Sequence, residues 1–599
     1  MIASAAAMCL LLNAIHGAAT PEELRWLPTQ KPPKGLVRTH LDDMAAGVGP
    51  DGAAAPGSLG PEHMLVQSLA GLAAQAVNEG RFDEMVWVGL DNPSYALWYE
   101  GVTERLAPED RGAFTPWELA RRYTDAGLVK GYILYRYDYT EGFPTDYHGD
   151  MDFSVNVATT LAGIHQGILI SECIEDKAKA MGLTCLADVR DKSQTWCFET
   201  YQDRVSRRYA LAQSPKMPHN RAIAIAHRMF AFFGMVEPTP SLYRWLDPLS
   251  TIVGWNGGDE GGFVSQLCRE SHILYPSNWA VNLTVLSAGA ETFDAAPPFT
   301  PVDPAAINWD DPRPSVSFIM SDGDNVQWML GNFCHNPAYW AHPEHGAFPI
   351  GWGLAYACLD QSAPYARDYL ARTQPASSTA VLCAGGYYYP DLLGADRGPE
   401  VREQALRTHA RRLNHYMTRS DGRTLMFLCW DLDSPEAMQA YRIFAEEIQP
   451  LIGMFGFQYY PYEGGNGAVY WIPRPDGAEI PVVTAKYSVW ANLKHERAGT
   501  PAKIARLINE DARAATDPLH AWAIIHAWST FNEAPLDADD LAEEPDGERT
   551  GEAYGVTPTK WTVDRIGDHV NVVPPEEMVW RLRMQHDPET TRAIIRKTP

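Results

Sequence analysis

None of the nine cysteines lies in a CxxC pair, so zinc-ribbon and dithiol redox sites have no ligand pattern to build on. The chain has no GxSxG, which removes the nucleophile elbow of serine hydrolases. It has no HExxH or HxxxH pair to seat a metal on one helix face. No run of about 20 apolar residues occurs, so no membrane-spanning helix is predicted. Basic residues are scarce: 49 Lys and Arg stand against 75 Asp and Glu, a net charge of -26. Nucleic acid and anionic membranes would be repelled and are not expected partners. Gly47–Gly52 spells GxGxxG, but Pro50 interrupts it and no strand precedes it. No dinucleotide is predicted there, and no other cofactor is expected.

What is present begins with an apolar run, Ala5–Ile15, followed by small residues at Gly17-Ala18-Ala19. It lacks a preceding Lys or Arg but resembles a signal-peptide core and cleavage zone. A signal peptide over 1–20 and a secreted or periplasmic location are therefore expected. The 599 residues exceed what one hydrophobic core organises. Helical and strand-like stretches alternate from Pro61–Glu79 and Met85–Leu90 onward. They read as small α/β modules over 21–127 and 128–234. A third module, 235–300, carries the Gly-rich acidic loop Gly254–Gly262, whose Glu260 can reach a neighbouring cleft. A proline-rich linker, 297–314, leads into a C-terminal domain over 301–599.

That domain alternates strand-like and amphipathic stretches. Strands are expected at 315–321, 349–356, 379–385, 425–430, 453–459, 482–487, 521–526 and 570–573. Eight units in roughly 280 residues suit a (β/α) TIM-like barrel, with an open doubly wound sheet as the alternative. In either fold, ligands meet the carboxyl ends of the strands. Those ends carry Asp322 and Asp324, then Trp352, Tyr387 and Tyr389, Trp430 and Asp431, Tyr460 and Glu463, Lys486, and His526 and Trp528. Trp328 follows the first strand, where Asp324 or Asn325 would cap a helix. Abundant aromatics, 19 Trp and 27 Tyr, suit stacking on sugar rings. Glycoside hydrolysis needs one protonated and one ionised carboxyl. Asp322, Asp324, Asp431 and Glu463 are the catalytic candidates, with Glu463 among tyrosines suited to the acid role.

The stretch Ala384-Gly385-Gly386-Tyr387-Tyr388-Tyr389-Pro390 resembles the motif of the GxGYxYP glycoside hydrolase family. Gly386, Tyr387, Tyr389 and Pro390 match, while Ala384 stands where the pattern has Gly. Ser321–Asn325 also looks like that family's opening strand, and the preceding region like its N-terminal modules. The resemblance implies a fold and a class of activity on carbohydrate, and it assigns no catalytic residue. Two other readings remain open. One is a metal-dependent, deacetylase-like hydrolase, in which Asp322, Asp324 and one of His335, His342, His345 or His526 bind the cation. The other is a non-catalytic carbohydrate-binding protein.

Overall fold

The computed structural model describes residues 22–40, 61–136, 152–291, 297–462, 464–491, 493–532 and 552–596. The expected signal peptide, the glycine loop at 47–52 and Glu463 lie outside them. Among the described residues twenty-one strands form four sheets. β1 (Gly35–His40) pairs in parallel with β2 (Glu84–Gly89) and β3 (Glu109–Ala113). β4 (Gly131–Tyr135) likewise joins β5 (Gly167–Ser171) and β6 (Cys185–Asp188). The third sheet contains β7 (Tyr209–Ala212), β8 (Phe230–Phe232), β9 (Thr251–Gly254) and β10 (Ile273–Pro276) in the order β10-β9-β7-β8. Strands β7 and β8, from the stretch read as the second module, thus share a sheet with β9 and β10 of the third, with β7 pairing β9. The helix Pro61–Asn78 packs against β2 of the first sheet and β5 of the second and is buried from His63 to Val77. Its Gly71 leaves no room for a Cβ, which would meet the Ala222 carbonyl at 2.7 Å.

The C-terminal unit is a mixed α/β assembly around one large curled sheet. Its strands are β11 (Ser315–Met320), β12 (Ile350–Leu354), β13 (Ser378–Cys383), β14 (Thr424–Cys429), β15 (Gly453–Gln458), β16 (Val469–Pro473), β17 (Glu479–Thr484), β18 (Tyr487–Val489), β19 (Ala498–Gly499), β20 (His520–Ile525) and β21 (Asn571–Val572). The order is β16-β17-β15-β14-β13-β12-β11-β20-β18-β19, parallel except at β16, with β21 pairing β11. β11 to β15 are almost wholly buried, which is why they read as continuous apolar runs. The strand expected at 482–487 is two strands separated by Ala485 and Lys486. β17 bonds β15, and β18 bonds β20. The eighth expected strand is the two-residue β21, which pairs in register only with Ser315 and Val316 of β11.

The sequence places Asn282 and Cys358 in strand-like runs and leaves a disulfide among Cys173, Cys185 and Cys197 open. Asn282-Leu283-Thr284 reads as a strand, but Leu283–Ala288 is a helix. Asn282 is buried, with its side chain bonded to both the N–H and the carbonyl of Val88. Cys358 lies in the helix Tyr356–Ser362, not in a strand. Cys173, Cys185 and Cys197 form no disulfide, and all described cysteines are free thiols. Among the described residues no helix is long and apolar enough to cross a membrane.

Candidate active site

The turn after β11 explains the spelling Ser-Asp-Gly-Asp-Asn. Asp322 takes a left-handed backbone, φ 64°, a conformation short polar side chains tolerate and one that clusters at functional sites. Gly323 follows because the chain presses on β12: a Cβ there would lie 1.5 Å from the Gly353 carbonyl oxygen. The Gly323 carbonyl in turn accepts from the Ala355 N–H at 2.7 Å. Asn325 caps the next helical turn by accepting from the Trp328 N–H. The Asp322 carboxylate accepts from the Ser321 hydroxyl and, at 2.8 Å, from the Trp528 indole N–H. Asp324 is turned inward and buried beside Cys383. Desolvation, then the charges of Asp322 and Glu260, raise its pKa to about 8. It therefore carries a proton at neutral pH.

The third carboxyl comes from the N-terminal half. β9 ends at Gly254, and the acidic loop leads into the helix Glu260–Arg269, with Asp259 as N-cap accepting from the Gly262 N–H at 2.8 Å. Two close approaches, one by this helix and one by β10 after it, set the N-terminal half against the C-terminal sheet. A Cβ on Gly261 would meet Tyr459 Cε1 at 2.7 Å and Trp430 Cζ2 at 3.1 Å. A Cβ on Gly386 would meet Ile273 Cγ2 at 2.6 Å, and Leu274 and Tyr387 exchange backbone hydrogen bonds of 2.8 and 3.0 Å. The Tyr387 hydroxyl donates to Glu260 Oε1, and the Tyr389 hydroxyl lies 3.2 Å from the Tyr387 hydroxyl. Solvent reaches Glu260, yet the surrounding protein strips enough hydration to raise its pKa. The charges of Asp322 and Asp259 add to that rise, and the Tyr387 bond opposes it.

An aromatic wall continues from this group. Tyr389 and Tyr459 lie 5.3 Å apart, Tyr459 and Tyr462 5.6 Å, and Tyr462 and Trp490 4.5 Å between ring centroids. Trp490 stacks on His526 at 3.9 Å, with the planes within 4°. The half-buried Trp430 lies 5.2 Å from Tyr459.

Asp322, Asp324, Glu260, Tyr387, Tyr389, Trp430, His526 and Trp528 thus line one connected region, with Tyr460 exposed at its rim. Other candidates sit elsewhere. Trp352 is buried, its indole N–H donating to His345 at 3.0 Å. Trp328 is buried against Trp528, Phe333 and Tyr339. Both therefore pack the scaffold. Lys486 pairs with Asp511 at 3.2 Å. Asp431 is exposed, pairs with Asp433, and is not among the charges that act on Asp324 or Glu260.

Sequence reading did not single out Asp391, which directly follows the tyrosine motif. It is buried and accepts from the Trp430 and Asp431 N–H groups at 3.0 Å each, holding the end of β14. Burial lifts its pKa to about 6. A carboxylate next to the motif was the available signal.

The four histidines of the metal reading bond elsewhere: His335 to Ser94, His342 to Thr557, His345 to the Trp340 carbonyl and Ser378, and His526 to Ser529. Among the described residues no three His, Cys, Asp or Glu side chains are grouped to hold a metal ion.

Comparison with known proteins gives two family matches. Residues 314–543 match the GxGYxYP putative glycoside hydrolase C-terminal domain, and residues 129–205 match the second domain of GxGYxYP_N. No curated protein matches the sequence. A crystal structure of a putative hydrolase from Bacteroides thetaiotaomicron VPI-5482 superposes with a TM-score of 0.73 at 21% identity. The match covers 94% of this chain and 97% of that one, and it speaks to fold.

Proposed function

The chain belongs to the GxGYxYP family of putative glycoside hydrolases, and from that premise we propose that it hydrolyses a glycosidic bond of an oligo- or polysaccharide. The observation that carries this reading is the meeting of Glu260, from the N-terminal half, with Asp322 and Asp324 beside an aromatic wall. Hydrolysis needs a carboxylic acid to protonate the leaving oxygen and a carboxylate to act as nucleophile or base. Glu260 is assigned the acid role, because its pKa is raised and solvent reaches it. Asp322 is assigned the carboxylate role, with its lone pairs aimed by Ser321 and Trp528. Asp324 is buried behind them as a neutral carboxyl. Keeping one charge out of the cluster lets Asp322 and Glu260 lie close without three-fold repulsion.

The same proposal reads the curled sheet as a TIM-like barrel. β17 and β18 are two residues apart, and they bond β15 and β20, on opposite sides of the sheet path. Taken as one bent strand, they join its ends and bring all the carboxyl ends to one rim. Export across a membrane, directed by the run Ala5–Ile15, accords with a polymeric glycan substrate.

The test is a screen of the purified protein against plant and microbial polysaccharides, with and without EDTA. Reducing sugar released in EDTA, and lost in Asp322→Asn, is expected. Release abolished by EDTA and restored by a divalent cation would replace this reading with metal-assisted hydrolysis. Binding without release from any glycan would make the protein a carbohydrate-binding one.

A further inference from the structure

Beside Asp322 lies a cavity of about 300 Å³, walled by Tyr460, Tyr462, Trp490, Leu493, His526 and Trp528. Its volume is at the lower end of small-molecule sites, roughly 300–1,000 Å³. Two of its walls also belong to the carboxyl cluster. Trp528 lines the cavity with its ring and donates its indole N–H to Asp322. The hydroxyl of Tyr462 lies within the electrostatic reach of both Glu260 and Asp322. A ligand in the cavity therefore adjoins Asp322 across the Trp528 ring.

The chemistry of the wall narrows the ligand. Tyr460 is 67% exposed, unusually so for a large aromatic. Tyr460 and Tyr462 both hold positive φ, 22° and 67°, a backbone cost that persists where the surroundings impose it. An amphipathic aromatic rim of this kind suits the C–H face of a sugar with its hydroxyls turned outward. Among the described residues no Lys or Arg lines the cavity. The nearby Lys486 and Arg497 both bond Asp511, at 3.2 and 2.6 Å. A sugar carboxylate or sulfate would meet Asp322 with no Lys or Arg among the described lining residues to offset it.

Resting on the glycosidase reading, the geometry points to this cavity as the subsite for one uncharged pyranose unit of the substrate, next to the bond that is cleaved. Tyr460 and Trp528 supply the stacking surface, and Trp528 couples the seated ring to Asp322. The protein thereby selects neutral glycans over uronate-containing or sulfated ones.

The test is calorimetric titration of the full-length Glu260→Gln protein, which keeps ligands intact. The ligands are cellohexaose, xylohexaose, mannohexaose, maltohexaose and chitohexaose, with oligogalacturonate as the charged comparison. Binding of at least one neutral hexaose and none of oligogalacturonate is expected. Tyr460→Ala, at an exposed position, then weakens that binding about tenfold or more, the scale of losing an aromatic anchor. Leu493→Trp, which fills the cavity, abolishes it. In the Glu260-intact protein the same two substitutions raise KM for that glycan far more than they lower kcat. Preference for oligogalacturonate, no binding to any of the six, or neutral binding indifferent to Tyr460→Ala and Leu493→Trp would each overturn the subsite. The glycosidase reading would survive any of these if the wild type still released reducing sugar in the polysaccharide screen, and would fall with the subsite if it released none.

Discussion

Asp324 offers a prediction that needs no substrate. Its folded pKa is about 8, against roughly 3.9 for an aspartate in an unfolded chain. A raised carboxyl pKa penalises the folded state once the unfolded chain can ionise. Below about pH 4 both states are protonated and the penalty is zero. Between pH 4 and 8 the unfolded chain is ionised while the folded one holds its proton, so stability falls with rising pH. Above pH 8 the loss levels off. Each unit corresponds to about 1.4 kcal/mol, giving about 4 kcal/mol at pH 7 and about 5 to 6 kcal/mol on the plateau. Asp324→Asn is neutral at every pH and nearly the same shape. Scanning calorimetry from pH 4 to 9 should find the variant no more stable than wild type at pH 4. It should become progressively more stable toward pH 8. A melting difference that does not change with pH, or that shrinks as pH rises, would refute a buried protonated Asp324.

Gly323→Ala is expected to be severely destabilising, by more than about 4 kcal/mol, because its Cβ would lie 1.5 Å from a backbone oxygen of β12; soluble yield and melting temperature report it. Gly261→Ala meets only the side chains of Tyr459 and Trp430, at 2.7 and 3.1 Å, which can rotate. Its melting temperature should change little, while displacement of Glu260 costs turnover about 10²-fold, the scale of a 1 Å misplacement. Glu260→Gln removes a charge that raises the Asp324 pKa, so in calorimetry of this variant the pH-dependent loss of stability should still begin near pH 4 but level off at lower pH and be smaller in total.

The strand-end logic was legible because parallel buried strands leave long apolar runs, and the residues where those runs stop are chemically distinct. Asp322, Tyr387, Trp430 and Trp528 could be placed at strand ends on that ground alone. Side-chain direction could not. Trp352 lies on β12, yet its ring points into a packed cluster with His345 and Trp340. A strand's alternation allows either face, and the sequence around Trp352 is apolar on both. The bend at Ala485-Lys486 was likewise hidden, because the residues on either side are equally strand-like. The role of Gly261 and Gly386 was invisible for another reason. Each is explained by an approach between segments more than 100 residues apart, Gly261 to Tyr459 and Gly386 to Ile273, so local turn chemistry gives no hint of it. Glu260 was readable only as a carboxylate on a glycine-rich loop. That it meets Tyr387 depends on the docking of β10 against the tyrosine motif.

The most direct test of the central claim compares two leaving groups in the Glu260→Gln variant, on the glycan the wild type cleaves and on the dinitrophenyl glycoside of the same sugar. An acid catalyst contributes about 10²–10⁴-fold where the leaving oxygen must be protonated, and little where it departs unaided. The account predicts that Glu260→Gln loses turnover of the glycan by that factor and keeps most of its turnover of the dinitrophenyl glycoside, while Asp322→Asn loses both. Equal loss on the two substrates in Glu260→Gln, or undiminished cleavage of the glycan, would contradict it.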